Sequence, residues 1–108
     1  MGLFSQLKQH YVASSFRRND LKIIEAIEAS TFGRILDDYT EQGWELTDAY
    51  GAFDENTPRW DCKLRKGAST LSCKWRREEE GSISGLTRIV TGLAERYNLT
   101  VHDTPSQR

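Results

Sequence analysis

Apolar residues recur along this chain with two periods, and each change of period locates an element. Leu3, Phe4, Leu7, Tyr11 and Val12 fall three and four apart, so residues 3–15 are predicted as an amphipathic helix. Its stripe, with Lys8, Arg17 and Arg18 nearby, suits packing on the domain or across a dimer better than lying on a membrane. The polar run 17–20 ends it. Residues 20–29, DLKIIEAIEA, admit two readings. Leu21, Ile24 and Ile27 fit a helical face and the flanking Glu and Ala residues favour one, whereas adjacent β-branched Ile23 and Ile24 suit a short buried strand. The helix is the favoured reading.

Ser30-Thr31 offers an N-cap to a helix over FGRILDDYTEQ, in which Phe32, Ile35, Leu36 and Tyr39 share a face. Gly43 stands where a helix stop favours positive φ. From Trp44 the period becomes two: Trp44, Leu46, Tyr50 and Ala52 take one side of an expected strand, with Asp48 out of pattern. DENTP is the next turn.

RWDCKLRKGASTLSCKWR, residues 59–76, then nearly mirrors itself about Gly67-Ala68. A two-residue loop with Gly first suits a type II′ turn. It sets Leu64 opposite Leu71, Cys62 opposite Cys73 and Trp60 opposite Trp75, all on one face. A slip of one residue would turn both indoles to water, so the register is expected to be firm. The other face carries Arg59, Lys63, Arg65, Lys74 and Arg76, with Thr70 and Ser72 between them and Asp61 facing Lys74. Finally Ile83, Leu86, Ile89, Val90, Leu93 and Tyr97 form the stripe of a helix capped by Ser82. Gly85 and Gly92 each cost that helix ~1 kcal/mol relative to Ala, so close approach to the sheet or another chain is expected to offset them.

The predicted architecture is α+β: N-terminal helices, a three-stranded antiparallel meander, and a C-terminal helix packed on one sheet face. The expected core is Trp44, Trp60, Cys62, Leu64, Leu71, Cys73, Trp75, Leu86, Ile89 and Leu93. Residues 1–101 are expected to form a single domain and 102–108 a disordered tail. Three Trp, four Tyr and four Phe argue against disorder elsewhere, although 29% of the chain is charged.

A net charge of -1 gives no global attraction to polyanions, but the charge is segregated. Residues 37–55 hold seven acids and no Lys or Arg, and 59–77 hold seven bases against Asp61 alone. The basic face reads first as a solvated sheet surface answered by acids such as Glu45, and second as a phosphate-binding surface. No ring on that face could stack a base. With neither a secretory leader nor a run of ~18 apolar residues, the expectation is a cytoplasmic protein with reduced thiols.

No catalytic motif is found. Facing cysteines in a hydrogen-bonded antiparallel pair stand ~5.5 Å apart at Cα, within disulfide range, but free thiols packed as small hydrophobes are favoured. Two Cys and the distant His10 and His102 make a poor zinc set, so no metal or cofactor is expected. GSISG has Ile83 where a nucleophile elbow needs Ser, and no Gly-Lys-Ser/Thr follows for a phosphate loop.

LDDYTEQGW, with Tyr50, Trp60 and the Cys62/Leu64 alternation after it, resembles the first helix and sheet of the double-stranded RNA-binding domain over about residues 32–97. The resemblance implies a helix, three strands and a helix, with duplex RNA as partner. It departs at GSISGLTRI, where that family places a lysine cluster, and at DENTPR, where it has a Gly- and His-bearing loop. The first functional expectation is a small non-enzymatic binding module for a protein partner or a second copy. The alternative is RNA binding through the basic hairpin face, aided by Arg77 and Arg88. A small-ligand pocket between helices and sheet comes third.

Overall fold

The hairpin about Gly67 is the spine of the sheet. In the computed structural model, which describes residues 12–106, the elements run α1 (described over 12–18), β1 (Leu21–Ile27), α2 (Ala29–Glu41), β2 (Glu45–Thr47), β3 (Arg59–Lys66), β4 (Ser69–Arg76), β5 (Glu80–Leu86) and α3 (Thr87–Tyr97). The predicted helix over 3–15 thus lies mostly outside the described residues. Trp60 faces Trp75, Cys62 faces Cys73 and Leu64 faces Leu71, with positive φ at Gly67 (61°) and not at Ala68, as a type II′ turn requires.

The α+β class holds, but the sheet has five antiparallel strands, in the order β1-β5-β4-β3-β2, instead of three. The two added strands correct two predicted helices. Residues 21–27 form β1, which carries a bulge: Ile24 pairs with Ile83 and Ile27 with Gly81, leaving one extra residue, and Ala26 takes φ 55°. The bulge turns Ile24 and Ile27 to the same side, where both are buried. Their spacing of three therefore imitates a helix.

Residues 80–86 form β5, so α3 starts at Thr87 and Ser82 caps nothing. The start of α3 is tied instead to the entry of β1, since Thr87 donates from N to the Asp20 carbonyl at 3.0 Å and from Oγ1 to its carboxylate at 2.7 Å. Gly81 and Gly85 turn inward beside Ile83, where side chains press on the sheet. A Cβ at Gly85 would stand 2.7 Å from Leu71 Cδ2 and 3.1 Å from the Thr70 carbonyl. Leu86, expected in the core, is 37% exposed on the far side. A Cβ at Gly92 would meet nothing within 4 Å among the described residues, so no close approach there offsets it.

Two smaller boundaries also move. α2 begins at Ala29 behind Glu28, with no side-chain cap bond from Ser30 or Thr31. The strand expected over Trp44–Ala52 shrinks to Glu45–Thr47, because Asp48 takes φ 60° and turns the chain away, leaving Tyr50 fully exposed. With a strand before the first helix of this unit and another between hairpin and last helix, the order β-α-β-β-β-β-α is not that of the double-stranded RNA-binding domain.

Both α2 and α3 pack on the face carrying the tryptophans. Phe32, Ile35, Leu36 and Tyr39 from α2 and Val90, Leu93 and Ala94 from α3 join Trp60, Cys62, Leu64, Leu71, Cys73, Trp75 and Ile83 in one buried cluster. Trp44 and Ile89 are half-buried at its margin. Fully burying a side chain of this size contributes ~1.5–3 kcal/mol, so the cluster is what holds helices to sheet.

The segment expected as a tail lies along β1. His102 exchanges both backbone bonds with Ile23, at 2.8 and 3.0 Å, Asp103 pairs with Lys22 at 3.4 Å, and Ser106 donates from Oγ to Glu25 at 2.5 Å.

Candidate functional site

Because strand side chains alternate, every residue turned away from α2 and α3 belongs to a second surface, where Ile23 is itself buried. The register draws one row across all five strands: Ile23 opposite Ser84, Ser84 opposite Ser72, Ser72 opposite Lys63, and Lys63 opposite Thr47. On one side of it lie Ser82, Lys74 and Asp61, and on the other Thr70, Arg65 and Glu45. The centre is small and hydroxyl-bearing, and the charges stand around it.

The five predicted bases all lie on this surface or its border, but their neighbours divide them. Arg76 Nη1 reaches Asp61 Oδ1 at 2.6 Å, and Arg59 Nε lies 3.6 Å from Asp61 Oδ2. Arg65 Nη2 lies 3.6 Å from Asp48 Oδ2. Lys63 and Lys74 make no ion pair among the described residues. Asp61 does face Lys74 in the ladder, yet its carboxylate is taken diagonally by Arg76, whose planar fork gives shorter and more directional bonds than an ammonium. Sequence reasoning did not foresee this pairing. A surface that reads as basic along the chain is of mixed sign when folded. Such half-exposed pairs are each worth ~0.2–1 kcal/mol, so their main effect is on what the surface can attract.

Behind this surface, the cysteines are free and buried. The hydrogen bond with Cys62, followed by burial, pushes the Cys73 thiol well above its usual range. A thiol held protonated in an apolar site is a poor nucleophile.

The loop 48–58 is pinned to the tryptophans at the end of the sheet. Trp60 Nε1 donates to the Gly51 carbonyl at 3.3 Å and Trp75 Nε1 to the Glu55 carbonyl at 3.2 Å. Phe53, which no periodic pattern marks, packs edge-on against both indoles at 5.4 and 5.1 Å and against Phe32 at 5.0 Å. These rings fill the space between α2 and the hairpin, where a ligand pocket was the third expectation.

Open concavities border the site. One of about 250 Å³ lies between Lys63, Lys74, Asp48 and Asp61, and one of about 360 Å³ lies at the outer border of β3 beside Tyr50. Among the described residues no three His, Cys, Asp or Glu side chains gather as a metal site, and no helix is long and apolar enough to cross a membrane. His102 is exposed, and His10 lies outside the described residues. No family model, curated protein or solved structure shows a significant match to the chain.

Proposed function

We propose that this protein is a small non-enzymatic interaction module that associates with a second copy of itself through the sheet face opposite α2 and α3. The observation that carries the reading is the mixed charge of that face, where bases and acids alternate at short range, Lys63 and Lys74 beside Asp61 and Asp48. A two-fold axis through such a surface sets unlike charges against each other, as isologous contacts need. A polyanion would meet Asp61, Asp48 and Glu45 among the bases, which favours a protein surface over RNA.

Sedimentation equilibrium over rising concentration tests this. Wild type should climb from one chain toward two, while Ser72→Arg, which adds bulk and charge at the centre of the face, should stay at one chain with an unchanged circular dichroism spectrum. A single-chain mass at millimolar concentration rejects the proposal. Salt-dependent retention on duplex RNA, lost on Lys63→Glu with Arg65→Glu, would move the assignment to RNA.

A further inference from the structure

The outer border of β3 carries a second, separate opportunity that does not depend on self-association through the sheet face. In an antiparallel ladder each residue turns its N–H and C=O to the same neighbour, and successive residues alternate between the two sides. Lys66 and Ser69 flank the two-residue loop and bond to each other, so even-numbered residues of β3 bond to β4 and odd-numbered ones point outward. Outward, Arg65 and Lys63 meet Glu45 and Thr47 of β2. There β2 stops. Asp61 and Arg59 turn the same backbone groups into a lane that β2 has left, and among the described residues no loop backbone bonds to either.

Two features hold the lane open. Asp48 turns the chain out of it with φ 60°, and the bond from Trp60 to the Gly51 carbonyl draws the following loop aside. What remains is the concavity of about 360 Å³ bounded by Asp48, Tyr50, Ala52, Thr57, Arg59 and Asp61. Beside it, Tyr50 stands entirely in solvent, the most exposed large hydrophobic side chain among the described residues.

We propose that this edge receives an extended peptide from a partner protein, added antiparallel to β3 and in line with β2, with the residue order basic, apolar, acidic. The order follows from the register. Running antiparallel, the peptide meets Asp61 first, Trp60 second and Arg59 third. Its first and third side chains lie on the face opposite α2 and α3, beside a carboxylate and a guanidinium, where opposite charges across strands are favoured. Its second turns to the helix side, beside Trp60 and Ala52. Backbone bonds supply affinity and the alternating side chains supply choice, as in other strand additions.

The test uses the full chain and the blocked pentapeptide KVEVT, followed by amide NMR. The peptide should shift the amides of Asp61, Arg59 and Tyr50 and slow hydrogen exchange at Asp61. N-methylation at the peptide's Lys and Glu, whose N–H groups face β3, should abolish binding, while N-methylation at the Val between them should not. EVKVT, with the charges exchanged, should bind about tenfold weaker. The proposal is overturned if the Asp61 amide is already as protected as that of Trp60 in the free protein, if both methylated peptides behave alike, or if shifts centre on Ser72 and Ser84. No shift at millimolar peptide overturns it as well. Concentration-dependent shifts at Asp61 without peptide would give the lane to a second copy and likewise overturn the partner assignment.

Discussion

Gly81 of β5 lies directly under the Phe32 ring of α2, so close that a Cβ there would stand 2.9 Å from Phe32 Cε1. Phe32 cannot retreat. It is fully buried and held by Phe53, Trp60 and Trp75, with ring centroids at 5.0, 6.3 and 5.7 Å. The contact sets how closely α2 approaches the sheet.

Gly81→Ala is therefore expected to destabilise the fold by ~1–3 kcal/mol, the usual cost of overpacking, seen as a lower urea midpoint. Gly92→Ala is the opposing control: it lies in α3 with no atom within 4 Å and should raise stability by ~0.4–1 kcal/mol. Midpoints that move in the same direction would contradict the packing described.

Phe53→Ala should cost ~2 kcal/mol, below the range for a fully buried Phe because this ring is only partly buried. Trp60 and Trp75 emission should shift to the red as water reaches both indoles. Tyr50→Ala, three residues earlier and fully exposed, should change stability by less than ~0.5 kcal/mol. Unchanged emission in Phe53→Ala would mean the loop does not seal the rings.

Tyr97 joins the end of α3 to α2 by donating its hydroxyl to Asp38 Oδ2 at 2.6 Å. Burial, then that hydrogen bond, push its phenol up to about 12, against the pull of the Arg96 guanidinium. Folding thus favours the protonated form. The stabilisation is fully present below pH 10, the ordinary phenol value, and is lost as pH rises through about 12. Tyr97→Phe should lower stability at neutral pH and flatten its fall across that alkaline window. Phenolate absorbance checks the titration, and an unaltered alkaline profile in Tyr97→Phe would remove Tyr97 as its source.

Neither cysteine should react with a thiol reagent at pH 8 on the timescale of an exposed thiol, and both should react after unfolding, since each is buried and Cys73 is held protonated. Intact mass without reductant should show both thiols. A loss of two hydrogens would mean that the pair closes into a disulfide.

The hairpin was legible because each of its strands alternates without interruption and Gly67 marks the turn. β1 was not, because its bulge at Ala26 brings Ile24 and Ile27 three apart onto one side and so copies the helical period. β5 was hidden by its own packing. Gly81 and Gly85 fill its inward positions because Phe32 and Leu71 leave no room for side chains, and two glycines do not look like a buried face. The alternation of glycines and Ile83 with Ser82 and Ser84 was the signal available. The bases of the candidate site were legible one by one, but the acids that answer them were not. Those depend on the turn at Asp48 and on the diagonal reach of Arg76 to Asp61. Phe53 stands alone in a polar loop, and only the tertiary contact identifies it.

His102 bonding to Ile23 stoppers one border of the sheet, while the short β2 leaves part of the other bare. A strand docking beside β3 would therefore find the opposite flank partly occupied, with His102 already in the ladder position beside Ile23, which obstructs propagation from that side.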